Sequence, residues 1–409
     1  MMVRNGLQSF VLVFICFLAI APAAWAQEEP PVVKALYDTF AEVGGERPTH
    51  QSLTTAADGT ITITGVKILM QNLQQDGQDV RQELVADELV MGGVKEASEG
   101  IFEVGTMSMK NAVISVTTPD VETIRMTIPI MQAKGAFIRS PDMLKTGLDR
   151  MFAQSMMARS YTVPLVTMAV GDFSLDLHDL KFKWDGDPKT FMGESVYSIG
   201  SVELPASTLD NLGMKPSLKE LGYDKLVFAA TGRANMQMPK EHIEMEGDSS
   251  FLARDMGAFS TSGAVGGMQP ALFEAAQAVQ ESPNSIDVNA MIAMLQTVTI
   301  GHMRLRYDDA SLAEKLLTWV AQSEGKSREQ IVTEAAALSD FSLAGLGSPE
   351  LSAQAKTAIQ TFLTKPGWIQ IELRPDAPVA VNKVMPLLGT PAEIVKLLKL
   401  QISAGAVAE

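Results

Sequence analysis

The chain has 409 residues, with 33 Lys and Arg against 48 Asp and Glu, one Cys, and a hydrophobic content of 46%. This length and composition are those of a globular protein with a buried core, and they exclude a largely disordered chain. The formal net charge of −15 argues against non-specific binding to DNA or RNA and against an electrostatic hold on anionic lipid, because both depend on clustered Lys and Arg.

The first 26 residues have the layout of a secretory signal peptide. Arg4 is their one charged residue, an apolar run covers residues 10–24, and residues 24–26 (Ala-Trp-Ala) form a small-residue cleavage site. We expect cleavage after Ala26 and a periplasmic protein. The alternative is an uncleaved anchor, but the apolar run is shorter than the roughly 20 residues of a membrane span.

Cleavage after Ala26 has two consequences for the mature chain. It removes Cys16, the only cysteine, and with it any disulfide or thiolate chemistry. No later segment offers 18 uninterrupted apolar residues, so we expect no transmembrane span in the mature protein.

Alternating apolar and polar residues predict strands over much of residues 59–263 and again at residues 299–305. Residues 61–64 read Ile-Thr-Ile-Thr, and similar stretches surround five glycines at unequal spacing. Unequal spacing excludes a solenoid of fixed period. A glycine inside a strand predicts a bulge or bend where the sheet curves. The five glycines are Gly65, Gly105, Gly171, Gly200 and Gly301.

Helical periodicity precedes and follows this region. A short helix is predicted from residue 31 to Gly44, and after residue 268 the composition shifts to Ala, Leu, Glu and Gln. Three amphipathic helices are predicted there, followed by a strand at residues 368–373 and a last short helix that begins after Thr390. The three predicted N-terminal caps are Ser311 with Glu314, Ser327 with Gln330, and Ser348 with Pro349.

Together these patterns predict an α+β fold, a large curved mainly antiparallel sheet with C-terminal amphipathic helices packed on it. The expected organisation is a signal peptide at residues 1–26, a β-rich region at 27–268, and a helical layer with returning strands at 269–409. We expect the last two ranges to belong to one continuous fold.

Methionine is abundant, with 24 residues in the chain. Met107 and Met109, like Met236 and Met238, are two residues apart and share a strand face. One interpretation is a thioether site for Cu(I), a second is adaptable filling of the core, and a third is the lining of a groove for varied lipids or peptides. Because the four His are scattered and form no tract with Met, we predict no metal site.

One polar strand face carries candidate chemistry. Asp172, Asp176 and His178 share a face if residues 171–178 form a strand, and a carboxylate with an imidazole is suited to a divalent metal or to acid–base catalysis. The alternative is the solvated side of an amphipathic strand. Apolar positions change parity after residue 177, which predicts a turn or bulge near residues 178–179.

Catalytic motifs of the common kinds do not occur in the sequence: there is no nucleophile elbow, zinc-protease helix, Walker loop or dinucleotide-binding glycine motif. We therefore predict no cofactor. Asp308 or Asp309 is interpreted as the N-cap or a first-turn charge of the helix that follows.

Two stretches resemble a known group of proteins. Residues 221–227 (LGYDKLV) and 255–260 (DMGAFS), with the glycine-bent strands behind a signal peptide, resemble large β-rich periplasmic proteins of the AsmA-like kind. The resemblance implies a long apolar sheet that handles lipid or outer-membrane components. Residues 304–312 (RLRYDDASL) are similar to uncharacterised exported bacterial proteins.

The sequence thus favours a non-enzymatic periplasmic protein that binds or carries an apolar ligand, such as a lipid, or an envelope partner. A first alternative is a metal-dependent hydrolase that uses the face of Asp172, Asp176 and His178. A second is an envelope assembly scaffold that binds partners at its sheet edges by strand addition.

Overall fold

A computed structural model of the chain describes residues 29–44, 46–75, 78–118, 121–143, 157–171, 173–206, 215–272, 294–344 and 347–406. These residues contain fifteen strands and several helices, and the strand pairings are antiparallel. The predicted α+β class with a mainly antiparallel sheet is thereby confirmed. The predicted signal peptide lies outside the described residues. Within the described part of the chain, the longest helices are too short or too polar to cross a bilayer.

The chain divides into two compact units. Unit 1 falls within residues 1–199 and 273–286, and unit 2 within residues 200–272 and 287–409. The predicted division into a β-rich region at 27–268 and a helical layer at 269–409 stays a prediction.

Unit 1 is a helix followed by strands that pair in chain order. Each strand is hydrogen-bonded to the next, from the first to the seventh. Its elements are α1 (Pro31–Gly44), β1 (Ser52–Thr55), β2 (Ile61–Gln75), β3 (Gln78–Ser98), β4 (Ile101–Thr118), β5 (Val121–Arg139), β6 (Ala158–Val170) and β7 (Phe173–Gly186).

Residues in the left-handed region interrupt these strands along a line across the sheet. Gly65 in β2, Asn111 in β4 and Asp179 in β7 have φ of 59°, 50° and 54°. Asn111 lies opposite Pro129 of β5, and Asp179 lies opposite Pro164 of β6. Gly, Asn and Asp are the residues that adopt this conformation at least cost. The interruption predicted near residues 178–179 is found at Asp179, but the pairing with β6 keeps the same register on both sides, so it is not a bulge.

A second line of small residues crosses β3, β4 and β5. Gly93 lies opposite Gly105, and Gly105 lies opposite Gly135. Gly93 and Gly135 have φ of 64° and 58°. Of the glycines predicted to bend strands, Gly171 instead lies in the turn between β6 and β7. Glycine serves there as a turn residue rather than as a bend within one strand.

Where a strand crosses one of these lines, the alternation of buried and exposed side chains shifts by one residue. In β4 the buried side chains are Ile101 at its start and Val104, then Met107 and Met109 after the second line, then Ala112 and Ile114 after the first line. Without these interruptions, strict alternation would turn the apolar side chains to the opposite face. The interruptions therefore keep one apolar face continuous along strands of up to 21 residues.

Helix α1 docks on unit 1 through a buried stripe. Val33, Leu36 and Tyr37 are at most 2% exposed. Thr39 donates a hydrogen bond of 2.6 Å from Oγ1 to the carbonyl oxygen of Arg139 at the end of β5. The helix predicted from residue 31 to Gly44 is confirmed.

Unit 2 combines an antiparallel set of strands with the C-terminal helices. Strand β8 (Gly193–Pro205) spans the division between the units. The remaining strands are β9 (Lys225–Gln237), β10 (Ile243–Ala253), β11 (Gly257–Met268), β12 (Thr299–Asp309), β13 (Trp368–Leu373), β14 (Val379–Ala380) and β15 (Leu400–Gly405). The helices are α2 (Leu312–Glu324), α3 (Arg328–Ala344), α4 (Pro349–Thr364), α5 (Val381–Val384) and α6 (Pro391–Leu398).

Two predicted helix caps are confirmed. The Ser327 amide donates to Gln330 Oε1 at 2.8 Å, and the Gln330 amide donates to Ser327 Oγ at 3.3 Å, which is a reciprocal capping box. Ser348 Oγ accepts a hydrogen bond from the Leu351 amide at 3.3 Å, and Pro349 occupies the first turn of α4.

Ser311 is the N-cap residue of α2, as predicted, but the predicted capping box does not form. Its hydroxyl makes no capping bond and donates instead to the carbonyl oxygen of Asp255. Asp309 Oδ1 accepts a hydrogen bond from the Ala313 amide at 2.8 Å. Of the two acidic residues predicted at the start of this helix, Asp309 therefore binds its first turn. At Thr390 the helix begins as expected, but the hydroxyl donates to the Leu387 carbonyl oxygen and accepts no hydrogen bond from an amide of α6.

Helix α4 lies along the outer strand of unit 2. The Ile402 amide of β15 donates to Gln354 Oε1 of α4 at 3.3 Å, and the Phe362 ring packs edge-on against Tyr307 of β12 at 6.0 Å. An exposed strand edge with open amides favours aggregation. The side chain of Gln354 satisfies one such amide.

Candidate functional site

The polar face predicted on β7 is only partly described. Asp176 is exposed and accepts a hydrogen bond of 2.6 Å from Thr167 Oγ1 of β6, while His178 is half-buried. Asp172 lies outside the described residues. Among the side chains that the structure places, no three His, Cys, Asp or Glu converge as a metal site would require. The hydroxyl bond of Asp176 fits the solvated-strand interpretation.

A second titratable cluster, which the sequence did not indicate, joins α1 to the segment before β1. The Tyr37 hydroxyl and His50 Nδ1 are 3.0 Å apart. Arg47 binds Asp38 at 3.0 Å and Glu29 at 2.6 Å. Burial raises the pKa of Tyr37 and lowers the pKa of His50. With Tyr37 1% exposed, this cluster is an anchor for α1 rather than an accessible site.

Unit 2 has an accessible apolar sheet face. Phe251 is paired with Phe259, and Thr261 with Leu305, which is itself paired with Ile371. Paired residues in antiparallel strands point to the same side, as do residues two apart on one strand. We define the apolar face of unit 2 as this side of β9 to β13. Its large exposed side chains are Met245, Phe251, Phe259, Met303, Leu305 and Ile371.

Exposure distinguishes this face from the core. Phe251 is 46% exposed, Phe259 41%, Met303 46% and Leu305 42%. The two phenylalanines alone expose roughly 170 Å², taking about 200 Å² for each side chain. With the other four side chains the apolar area reaches several hundred Å², the size at which a patch marks an interaction site.

The centre of the apolar face is made of small residues. Two neighbouring rows cross β9, β10 and β11 between larger side chains. Phe251 and Phe259 stand at one end, with Phe228 stacked on Phe251 at 4.9 Å, and Met236 and Met245 stand at the other end. We call the two rows the small-residue floor. Its members are Gly232, Ala234, Gly247, Ser249, Thr261 and Gly263.

Around the small-residue floor the side chains of the apolar face carry no charge. Asp309, at the end of β12, lies on the same side but is bonded to Tyr307 and to the first turn of α2. The other charged residues of these strands point to the opposite side. Arg233 binds Asp248 across β9 and β10 at 3.1 Å. On the apolar side, Ser249 and Thr261 share a hydrogen bond of 2.7 Å between their hydroxyl oxygens. The face therefore offers a ligand hydrocarbon contacts rather than ionic or strongly polar ones.

Methionine has a different role in each unit. In unit 1, Met91, Met107, Met109 and Met131 are at most 2% exposed, as the core-filling interpretation predicts. In unit 2, Met245 and Met303 are exposed on the apolar face, as in the groove-lining interpretation. A flexible and polarisable thioether suits a surface that adapts to its ligand.

The three stretches used for the sequence resemblances meet in one junction. Leu221, Tyr223 and Met256 form a buried cluster against Leu312 and Trp319 of α2. The Tyr223 hydroxyl lies 2.8 Å from Ser311 Oγ. These residues hold the first turn of α2 on the ends of β9, β11 and β12, which is a structural role.

Two comparisons with known proteins bear on the chain. A family model described as "Uncharacterized protein" matches residues 250–405, which is less than half of the chain. The match begins within β10 and extends to β15. It includes Phe251, Phe259, Met303, Leu305 and Ile371 of the apolar face, but not β9 or Met245. A search of the curated proteins found no match.

Proposed function

We propose that this is a non-enzymatic binding or carrier protein of the bacterial periplasm, and that the apolar face of unit 2 holds an apolar ligand such as a lipid. One observation carries the proposal: six large hydrophobic side chains share that face and stay about 40% exposed or more. Covering the roughly 170 Å² of the two phenylalanines alone would stabilise a complex by about 4 kcal/mol at 25 cal/mol per Å².

The proposed location is supported by the sequence of residues 1–26, in which a charged start, an apolar run and a small-residue cleavage site follow one another. The proposed architecture is a curved sheet on which the C-terminal helices form a layer. The contact of Phe362 with Tyr307 and the bond of Gln354 to β15 support that layer.

The alternatives have weaker support. A metal-dependent hydrolase would need the carboxylate of Asp176 as a ligand or a catalytic group, and this carboxylate already accepts a hydrogen bond from Thr167. For an assembly scaffold that adds strands, the amide of Ile402 at the edge of β15 is already bonded to α4. An envelope partner would bind to the same apolar face as a lipid, and the two would compete for it.

Purification of the protein from its own host, followed by native mass spectrometry and organic extraction, tests the proposal. Leu305→Asp places a charge on the apolar face. Leu252→Asp is the matched control, because Leu252 is 52% exposed and its side chain points to the opposite side of β10. We expect a bound apolar molecule in the wild type and in L252D, and its loss in L305D. Repeated recovery of ligand-free wild type, or equal occupancy in both variants, would contradict the proposal.

A further inference from the structure

We propose that the occupant of the apolar face is a single extended hydrocarbon chain of a lipid, lying along β10 over the small-residue floor. The inference rests on the proposed function and adds the class of ligand and its position. It follows from the distribution of side-chain sizes, from the absence of charge on the floor and its border, and from the length of the floor.

The sizes of the side chains define an elongated depression. Rows of glycine, alanine, serine and threonine lie between the Phe251 row and the Met245 row. Six residue steps separate Phe251 from Met245, about 20 Å at the rise of a strand. Three strands span only about 10 Å in the other direction. Met303 and Leu305 of β12 border one long side, paired with Gly263 and Thr261.

The length matches that of one acyl chain. A bilayer core of about 30 Å contains two chains end to end, so each chain is about 15 Å long. Such a chain fits between the aromatic row and the methionine row along the strands, and is too long to lie across the floor. A narrow, linear occupant is therefore favoured over a broad, rigid one.

Charge complementarity selects an uncharged occupant. The hydroxyls of Ser249 and Thr261 are bonded to each other, and the ion pair of Arg233 with Asp248 lies on the opposite side of the sheet. A peptide would bring polar groups that this face does not match. A second copy would bring a formal charge of −15 against the same charge, which opposes association.

The test measures binding of saturated fatty acids of 8, 12, 16 and 20 carbons to the mature chain by calorimetry. Ala234→Leu and Thr261→Leu fill the floor, and Thr231→Leu is the matched control on the opposite side of β9. Circular dichroism and light scattering verify folding and oligomeric state. We expect affinity to rise with chain length up to about 16 carbons, and binding of the 16-carbon chain to fall at least tenfold in both filled variants but not in T231L.

Other outcomes overturn the inference and separate it from the proposed function. Equal binding in the wild type and the filled variants would place the chain elsewhere. Binding of a bulky polyaromatic dye that is lost in L305D, without binding of any fatty acid, would refute the linear chain and keep an apolar-ligand protein. A wild-type dimer that L305D dissociates would identify a second copy as the occupant. Binding of neither probe to a monomeric wild type would refute both proposals.

Discussion

Phe251 and Phe259 face each other across β10 and β11 on the same side of the sheet, and they remain 46% and 41% exposed. A cross-strand aromatic pair normally stabilises a sheet by being covered. Here the pair is left open at the end of a floor of small residues. This arrangement is the basis of the proposed ligand site.

The open pair predicts that binding and stability respond differently to substitution. Phe251→Ser should weaken binding of an apolar dye at least tenfold while lowering the free energy of unfolding by only about 1 kcal/mol, because a half-exposed side chain contributes little to the core. Dye titration and urea unfolding check the two effects. Leu252→Ser, on the opposite side of β10, should leave dye binding unchanged. Equal loss of binding in the two variants would show that dye does not report on this face.

The left-handed glycine in β2 predicts that substitution at this position lowers the free energy of unfolding. Gly65→Ala should destabilise the protein by about 1 kcal/mol for its φ of 59°, plus the cost of moving the exposed Gln51 side chain, which the new methyl group would approach to 2.3 Å. Gly59→Ala is the control for φ alone, since Gly59 has φ of 82° and open space around it. We expect G59A to cost about 1 kcal/mol. Urea unfolding that found G65A no worse than G59A would contradict the packing of Gln51 on this bend.

The pairing of Tyr37 with His50 predicts a pH dependence. Burial lowers the pKa of His50 below 6.5 in the folded protein, so the unfolded chain binds the proton more tightly. Its contribution to stability is therefore complete above about pH 6.5 and is lost as the pH falls below it. Wild type and His50→Gln should be compared by urea unfolding at pH 7.5 and 5.5. We expect H50Q to lose less stability than the wild type between pH 7.5 and 5.5. An equal loss in both proteins would show that His50 does not cause the pH dependence.

The contact between α4 and β15 predicts protection of the sheet edge. Gln354→Ala should lower the free energy of unfolding by about 1 kcal/mol, because the half-buried Ile402 amide loses its acceptor. It should also raise the rate of aggregation measured by light scattering on heating. Gln360→Ala, at an exposed position of the same helix, is expected to change neither quantity.

Local signals predicted the elements of the fold well. Ser327 with Gln330, and Ser348 with Pro349, were recognisable as caps because every group involved lies within four residues. Ser311 had the same local signature, but Asp255 lies 56 residues away and its carbonyl oxygen takes the hydroxyl. A local sequence pattern does not indicate a hydrogen-bond partner that is distant in the sequence.

The bends show a similar limit. Gly65 was recognisable as a break in alternation, whereas Asn111 and Asp179 serve the same role with side chains that are also common elsewhere. The change of apolar parity around Asp179 was the signal that did reveal its bend. Asn111 lies at an equivalent change between Met109 and Ala112, so parity, rather than glycine, is the more general indicator.

The candidate site depended on knowing which strands are neighbours. Leu305 and Thr261 are 44 residues apart in sequence, and only their pairing places a large side chain beside a small one. The alternating pattern predicted an apolar face on each strand. It did not indicate which faces the helices would cover, because that depends on where α2, α3 and α4 pack.

Methyl NMR of the mature protein with ¹³C-labelled methionine tests the central claim most directly, because methionines lie both on the apolar face and in the core of unit 1. On addition of a spin-labelled fatty acid, we expect the methyl signals of Met236, Met245 and Met303 to broaden while those of Met91, Met107 and Met109 stay sharp. Unchanged signals from Met245 and Met303, with broadening elsewhere or nowhere, would show that the apolar face of unit 2 does not bind lipid.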